Sequence, residues 1–161
     1  MPPDPEIYAL ARQAGERLRR LGQWLAVAES CTGGLLGGAL TDVPGSSAYF
    51  LGGIISYADR VKVEQLQVSE ETLHRYGAVS EQTAAAMAVG VRQLLGADLG
   101  ISITGVAGPD AEGSKPVGLT YIGVAAGTLS TYHYQWSGDR WDNRRRSVVA
   151  ALELLVQALE H

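Results

Sequence analysis

Ser30, Cys31 and Thr32 stand side by side in the stretch AESCTGG (28–34), directly in front of Gly33 and Gly34. The glycines let a substrate approach the backbone without meeting a Cβ, so the turn is a candidate oxyanion hole or phosphate cradle. If a helix starts here, its unpaired N–H groups and dipole also favour developing negative charge. The same residues fit a plain helix cap equally well, because serine and threonine are preferred at that position.

A serine nucleophile needs a base, and histidine is the usual one. His74, His133 and His161 fall in an expected surface helix, a hairpin strand and the last residue, none well placed. The chain has two lysines, Lys62 and Lys115. Lys62 lies five residues beyond Tyr57 in YADRVK, where a strand is expected to give way to a helix. A buried lysine holds its proton less tightly, which makes Lys62 the candidate base. Tyr57 is the candidate relay, its phenol lying between serine and lysine if the two strand ends are neighbours. The plain alternatives are a solvated lysine and an ordinary strand aromatic. Cys31 competes as nucleophile, since a thiol at a helix N-terminus has a lowered pKa. Without a histidine, a lone cysteine after an apolar strand reads better as packing. Thr32 reads as a cap or a substrate hydrogen-bond donor.

Two further stretches could hold a ligand. TGVAGPDAEGSKPVG (104–118) is long, polar and glycine-rich between apolar strands, and begins with Thr104 and Gly105. GDRWDNRRRS (138–147) carries Arg140, Arg144, Arg145 and Arg146, and an arginine fork is a natural partner of phosphate.

These residues need a scaffold. Asp4 as N-cap and Pro5 at the first helical position predict a helix ending near Gly22. WLAVA (24–28) predicts a buried strand, GGLLGGALTDV a helix, and YFLGGIISY (49–57) a second strand. Short helices are expected around Arg60–Leu66 and after Ser69, and a stronger one after Ser80. DLGISIT (98–104) is a third strand, LTYIGVAAG and STYHYQW form a hairpin, and a last helix runs from about Asp139 to Glu160. The predicted fold is a three-layer α/β/α sandwich with a mixed, mostly parallel sheet. ESCTGG, YADRVK and TGVAGP would then lie at carboxyl strand ends, where ligands gather.

Composition narrows the function. With 161 residues, one domain over 1–161 is expected. A net charge of −4 argues against a large nucleic-acid surface, and no apolar run approaches a membrane span. One cysteine and scattered histidines give no zinc spacing, so metal-free chemistry without a cofactor is expected. The N-terminus lacks the basic and apolar regions of a secretory signal, which predicts a cytoplasmic protein.

AESCTGGLLGGALTDVPGSSAYFLGGIISYADRVK, GAVSEQTAAAMAVG, TGVAGPD, KPVG and SGDR together resemble the C-terminal domain of the competence/damage-inducible protein CinA, the nicotinamide-nucleotide amidase family. The resemblance runs from about Trp24 to Arg146. It implies hydrolysis of the carboxamide of nicotinamide mononucleotide, a pyridine nucleotide, to nicotinate mononucleotide and ammonia. The implied catalytic set is Ser30 as nucleophile, Lys62 as base and Tyr57 beside them, in a homo-oligomer. The expected oxyanion donors are the N–H groups of Cys31 to Gly34. Thr104 and Gly105, with Arg140 or Arg144, would hold ribose or phosphate. Where the family commonly has Ser-Asn after the tyrosine, this chain has Ala58 and Asp59, and its 104–118 loop is about a residue shorter. Larger members carry an N-terminal nucleotide-processing domain for which 161 residues leave no room. The other readings are a non-catalytic nucleotide-binding domain and a competence-linked interaction domain.

Overall fold

A computed structural model describes residues 2–160, so His161 lies outside the described residues. The chain runs α1 (Pro5–Leu21), β1 (Leu25–Glu29), α2 (Leu35–Thr41), a 3-10 turn (Ser46–Ala48), β2 (Phe50–Ile55), α3 (Asp59–Leu66), α4 (Glu70–Tyr76), α5 (Glu81–Leu95), β3 (Leu99–Gly105), β4 (Leu119–Ala125), β5 (Leu129–Gln135) and α6 (Arg140–Ala158). Helix starts follow the sequence signals closely. Asp4 accepts from the N–H groups of Glu6 and Ile7, and Ser69, Ser80 and Asp139 each cap the helix that follows them.

The strands form one sheet in the order β2-β1-β3-β4-β5. β1 pairs in parallel with both β2 and β3, while β4 is antiparallel to both β3 and β5. The sheet is mixed, as expected, and β1, β2 and β3 form its parallel half. Glu29 at the end of β1 faces Ile55 of β2 on one side and Ile103 of β3 on the other. Three neighbouring strands therefore end together on one side of the sheet.

Helices cover both faces. Alternation along β1 sends Leu25 and Val27 into a core with residues of α1, α2 and α6, and Ala26 and Ala28 into a second core with Leu66, Met87 and Val91. The second face is built from small residues, which lets α5 approach closely. A Cβ on Gly100 would stand 2.3 Å from the Ala88 carbonyl, and one on Gly123 would stand 2.5 Å from that of Ala84. Ser102 sits between them, donating to the Ala84 carbonyl at 2.6 Å and accepting from the N–H of Gly123 at 3.2 Å. No helix among the described residues is long and apolar enough to cross a membrane.

Several boundaries shift from expectation, and two of the shifts concern the site. The second helix starts at Leu35 rather than Gly33, because Gly33 and Gly34 adopt positive φ (58° and 105°) that a helix cannot use. β2 stops at Ile55, so Ser56 and Tyr57 leave the sheet and their carbonyls become free to serve other partners.

Gly90 of α5 lies against the last turn of α3, and a Cβ there would stand 2.0 Å from the Leu66 carbonyl. The helix bearing Lys62 is thus spaced by a missing side chain. Gly90→Ala is expected to destabilise the fold by about 1–3 kcal/mol despite alanine's better helix propensity, read as a lower midpoint in urea or thermal melts.

Candidate active site

A cleft of about 310 Å³ opens where β1, β2 and β3 end, lined among others by Ser30, Tyr57, Lys62, Gly105 and Arg140. Lys62 is its most constrained group, with 1% of its surface exposed. Its Nζ lies 2.7 Å from the Ser56 carbonyl, 3.2 Å from the Tyr57 carbonyl and 3.1 Å from the Ser30 Oγ. A neutral amine has two N–H bonds and one lone pair. Two donors to the carbonyls leave the lone pair for the hydroxyl proton of Ser30, the geometry of a base beside its nucleophile. Burial pushes the Lys62 pKa down, against the opposing pull of Asp59, whose Oδ1 is 3.8 Å away, and of Glu112.

Glu29 shapes the nucleophile turn. Its carboxyl is buried at 2% exposure and accepts from the Thr32 hydroxyl at 2.7 Å and from the N–H groups of Leu36 and Gly37, both at 2.9 Å. The N-cap of α2 is Gly34, which offers no side chain, so neither Ser30 nor Thr32 caps the helix. This removes the capping alternative for Ser30. Thr32 is fully buried, and its hydroxyl goes to Glu29 rather than to a substrate.

Of the four expected oxyanion donors, Gly33 is already used, its N–H reaching the Ser30 carbonyl at 3.1 Å. The N–H groups of Cys31, Thr32 and Gly34 bond to no backbone or side-chain oxygen among the described residues. The Cys31 thiol is pushed up to about 11 by burial, so it stays protonated at neutral pH and is a poor nucleophile.

The tyrosine sits differently from expectation. Tyr57 lines the cleft with 62% of its surface exposed, but its hydroxyl meets Arg140 Nη2 at 3.4 Å instead of lying between Ser30 and Lys62. It touches Lys62 through its backbone carbonyl.

The arginine run divides by position on α6. Arg140 lines the cleft and donates to the Gly108 carbonyl. Arg144, one turn later on the same face, does not reach the cleft. Its Nε and Nη2 donate to the carbonyls of Cys31 and Thr32 at 3.0 and 3.3 Å, so it braces the turn. Arg145 binds Asp4 and Glu6 at the start of α1, and Arg146 pairs with Asp142. Gly105 and Thr104 line the cleft, but the Thr104 hydroxyl is committed to the Ala78 carbonyl at 2.8 Å.

Glu29 and Asn143 escaped the sequence reading. Asn143 is 2% exposed, and its side chain donates to the Ala107 carbonyl at 3.1 Å and accepts from the N–H of Gly138 at 3.0 Å, fastening the 104–118 loop to α6. A signal for Glu29 was present, as the one charge closing a continuous apolar strand. Ala58 matters too, since it stands at the N-cap of α3 and provides no capping oxygen.

The family described as the CinA C-terminal domain matches residues 7–159, and the chain belongs to it. A CinA-like protein from Frankia casuarinae is 56% identical over 137 residues, covering 84% of this chain and 31% of that protein. A protein from Enterobacter agglomerans named nicotinamide-nucleotide amidohydrolase PncC is 44% identical over 153 residues, covering 93% of both. The crystal structure of the competence/damage inducible protein CihA from Agrobacterium tumefaciens superposes with a TM-score of 0.95 at 38% identity over all of both chains. Against several other curated relatives the chain spans only 28% to 38% of their length.

The buried lysine carries a stability signature. Below its unfolded value of 10.5 the unfolded chain binds the Lys62 proton more readily than the folded chain does, so protonation favours unfolding. Lys62→Met is expected to raise the urea midpoint near pH 8. That advantage should shrink as the pH rises through 10.5, above which both states hold a neutral amine.

Proposed function

We propose that this chain is a serine amidohydrolase that converts nicotinamide mononucleotide to nicotinate mononucleotide and ammonia, with Lys62 as its base. The observation that carries the reading is the 3.1 Å approach of the buried Lys62 Nζ to Ser30 Oγ, with two backbone carbonyls holding the amine. The substrate comes from the name of the Enterobacter agglomerans relative.

In this mechanism the Ser30 hydroxyl proton passes to Nζ as Oγ bonds to the carboxamide carbon. The oxygen that gains the negative charge meets the open N–H group of Cys31, which lines the cleft beside Ser30. The C–N bond then breaks, and Lys62 returns its proton to the departing nitrogen, which leaves as ammonia. Water, deprotonated by Lys62, adds to the acyl carbon. Cleavage of the ester bond gives the carboxylate and restores Ser30. Arg140, held by the Gly108 carbonyl and the Tyr57 hydroxyl, is the cation available to the nucleotide phosphate. Tyr57 presents its ring to the cleft and steadies Arg140.

Ammonia release from nicotinamide mononucleotide tests the reading. Ser30→Ala and Lys62→Ala are each expected to lower kcat by at least about a thousandfold, and the double variant by little more, as for residues acting as a unit. Retention of activity in both single variants overturns the dyad.

A further inference from the structure

Resting on the amidase reading, we propose that Asp59 and Glu112 recognise the positive charge of the substrate's pyridinium ring, so that the cleft selects N-ribosylated nicotinamide over an uncharged aromatic amide of the same shape. The charged side chains lining the cleft are Asp59, Asp110, Glu112, Lys62 and Arg140. In the form that accepts a proton from Ser30, Lys62 is uncharged. Three carboxylates then face one guanidinium.

Position assigns the work among them. Asp59 Oδ1 is 3.8 Å from Nζ, which is 3.1 Å from the nucleophile, so the carboxylate stands within about 7 Å of Ser30 Oγ. A carboxamide carbon poised for attack lies about 3 Å from Oγ, and the ring nitrogen is only two ring bonds from the carbon that bears the amide. With the ring turned towards Asp59, the positive charge sits in the field of that carboxylate. Glu112 faces the same space from the 104–118 loop and already acts on Lys62. Arg140, tied to Gly108 and Tyr57, is the opposite pole. A pyridinium ribotide has this polarity, a cationic ring at one end and a phosphate at the other.

The arrangement also discriminates between substrate and product. Hydrolysis turns a neutral carboxamide into a carboxylate beside Asp59. The same field that holds the ring repels the new charge and favours release.

Calorimetric titration tests the proposal in a Ser30→Ala/Lys62→Met background, where neither turnover nor the lysine proton contributes. The two ligands are nicotinamide mononucleotide and benzamide riboside 5′-monophosphate, which keeps the carboxamide, ribose and phosphate but has an uncharged ring. Asp59 and Glu112 are exposed, so Asp59→Asn and Glu112→Gln leave the core untouched. Each is expected to weaken binding of the charged nucleotide by about threefold to tenfold and to leave the uncharged one within about twofold. Equal losses for both ligands, or no loss for the charged one, overturn the proposal while leaving the amidase reading intact. Binding of neither ligand to the background protein overturns both.

Discussion

An amine buried to 1% exposure with no carboxylate in hydrogen-bond contact is the constraint around which this site is organised. Charged lysine is costly in such a place unless it is paired, and neutral lysine is the form that a base requires. The Ser56 and Tyr57 carbonyls satisfy the amine's donors without imposing a negative charge. Those carbonyls are free only because β2 ends at Ile55, and they lie beside Ser30 only because β2 pairs in parallel with β1. Strand termination and strand order thus set the proton affinity of one side chain.

The nucleophile turn answers to a second buried group. Glu29 takes over the N–H groups of Leu36 and Gly37 at the start of α2, so the helix dipole is screened from the cleft at that end. The oxygen-binding capacity of the turn rests instead on individual open amides. Arg144 supports the turn through the carbonyls of Cys31 and Thr32, and its bond to the Cys31 carbonyl polarises the peptide group that carries the open N–H of Thr32. A carboxylate and a guanidinium therefore both hold the turn, and neither lines the cleft.

Much of this was legible in advance because it was local. Asp4, Ser69, Ser80 and Asp139 announced helix starts through capping chemistry. The apolar strands and glycine turns fixed where a cleft would open. Contacts across the chain were not legible. Periodicity places Arg140 and Arg144 on one face of α6 but cannot say that one reaches the cleft and the other the back of a turn 113 residues away. Tyr57 was expected to act through its phenol, and its carbonyl is what meets the lysine, because backbone atoms carry no sequence signature. Thr32 looked available until a buried carboxylate three residues earlier claimed its hydroxyl.

The brace formed by Arg144 has a bearing on how the protein is made. During synthesis Ser30 and Lys62 emerge early, well ahead of α6. The turn beneath the nucleophile stays unbraced until α6 follows, and the 104–118 loop lacks its Asn143 fastening until then. The pocket is therefore completed by contacts from the last helix of the chain.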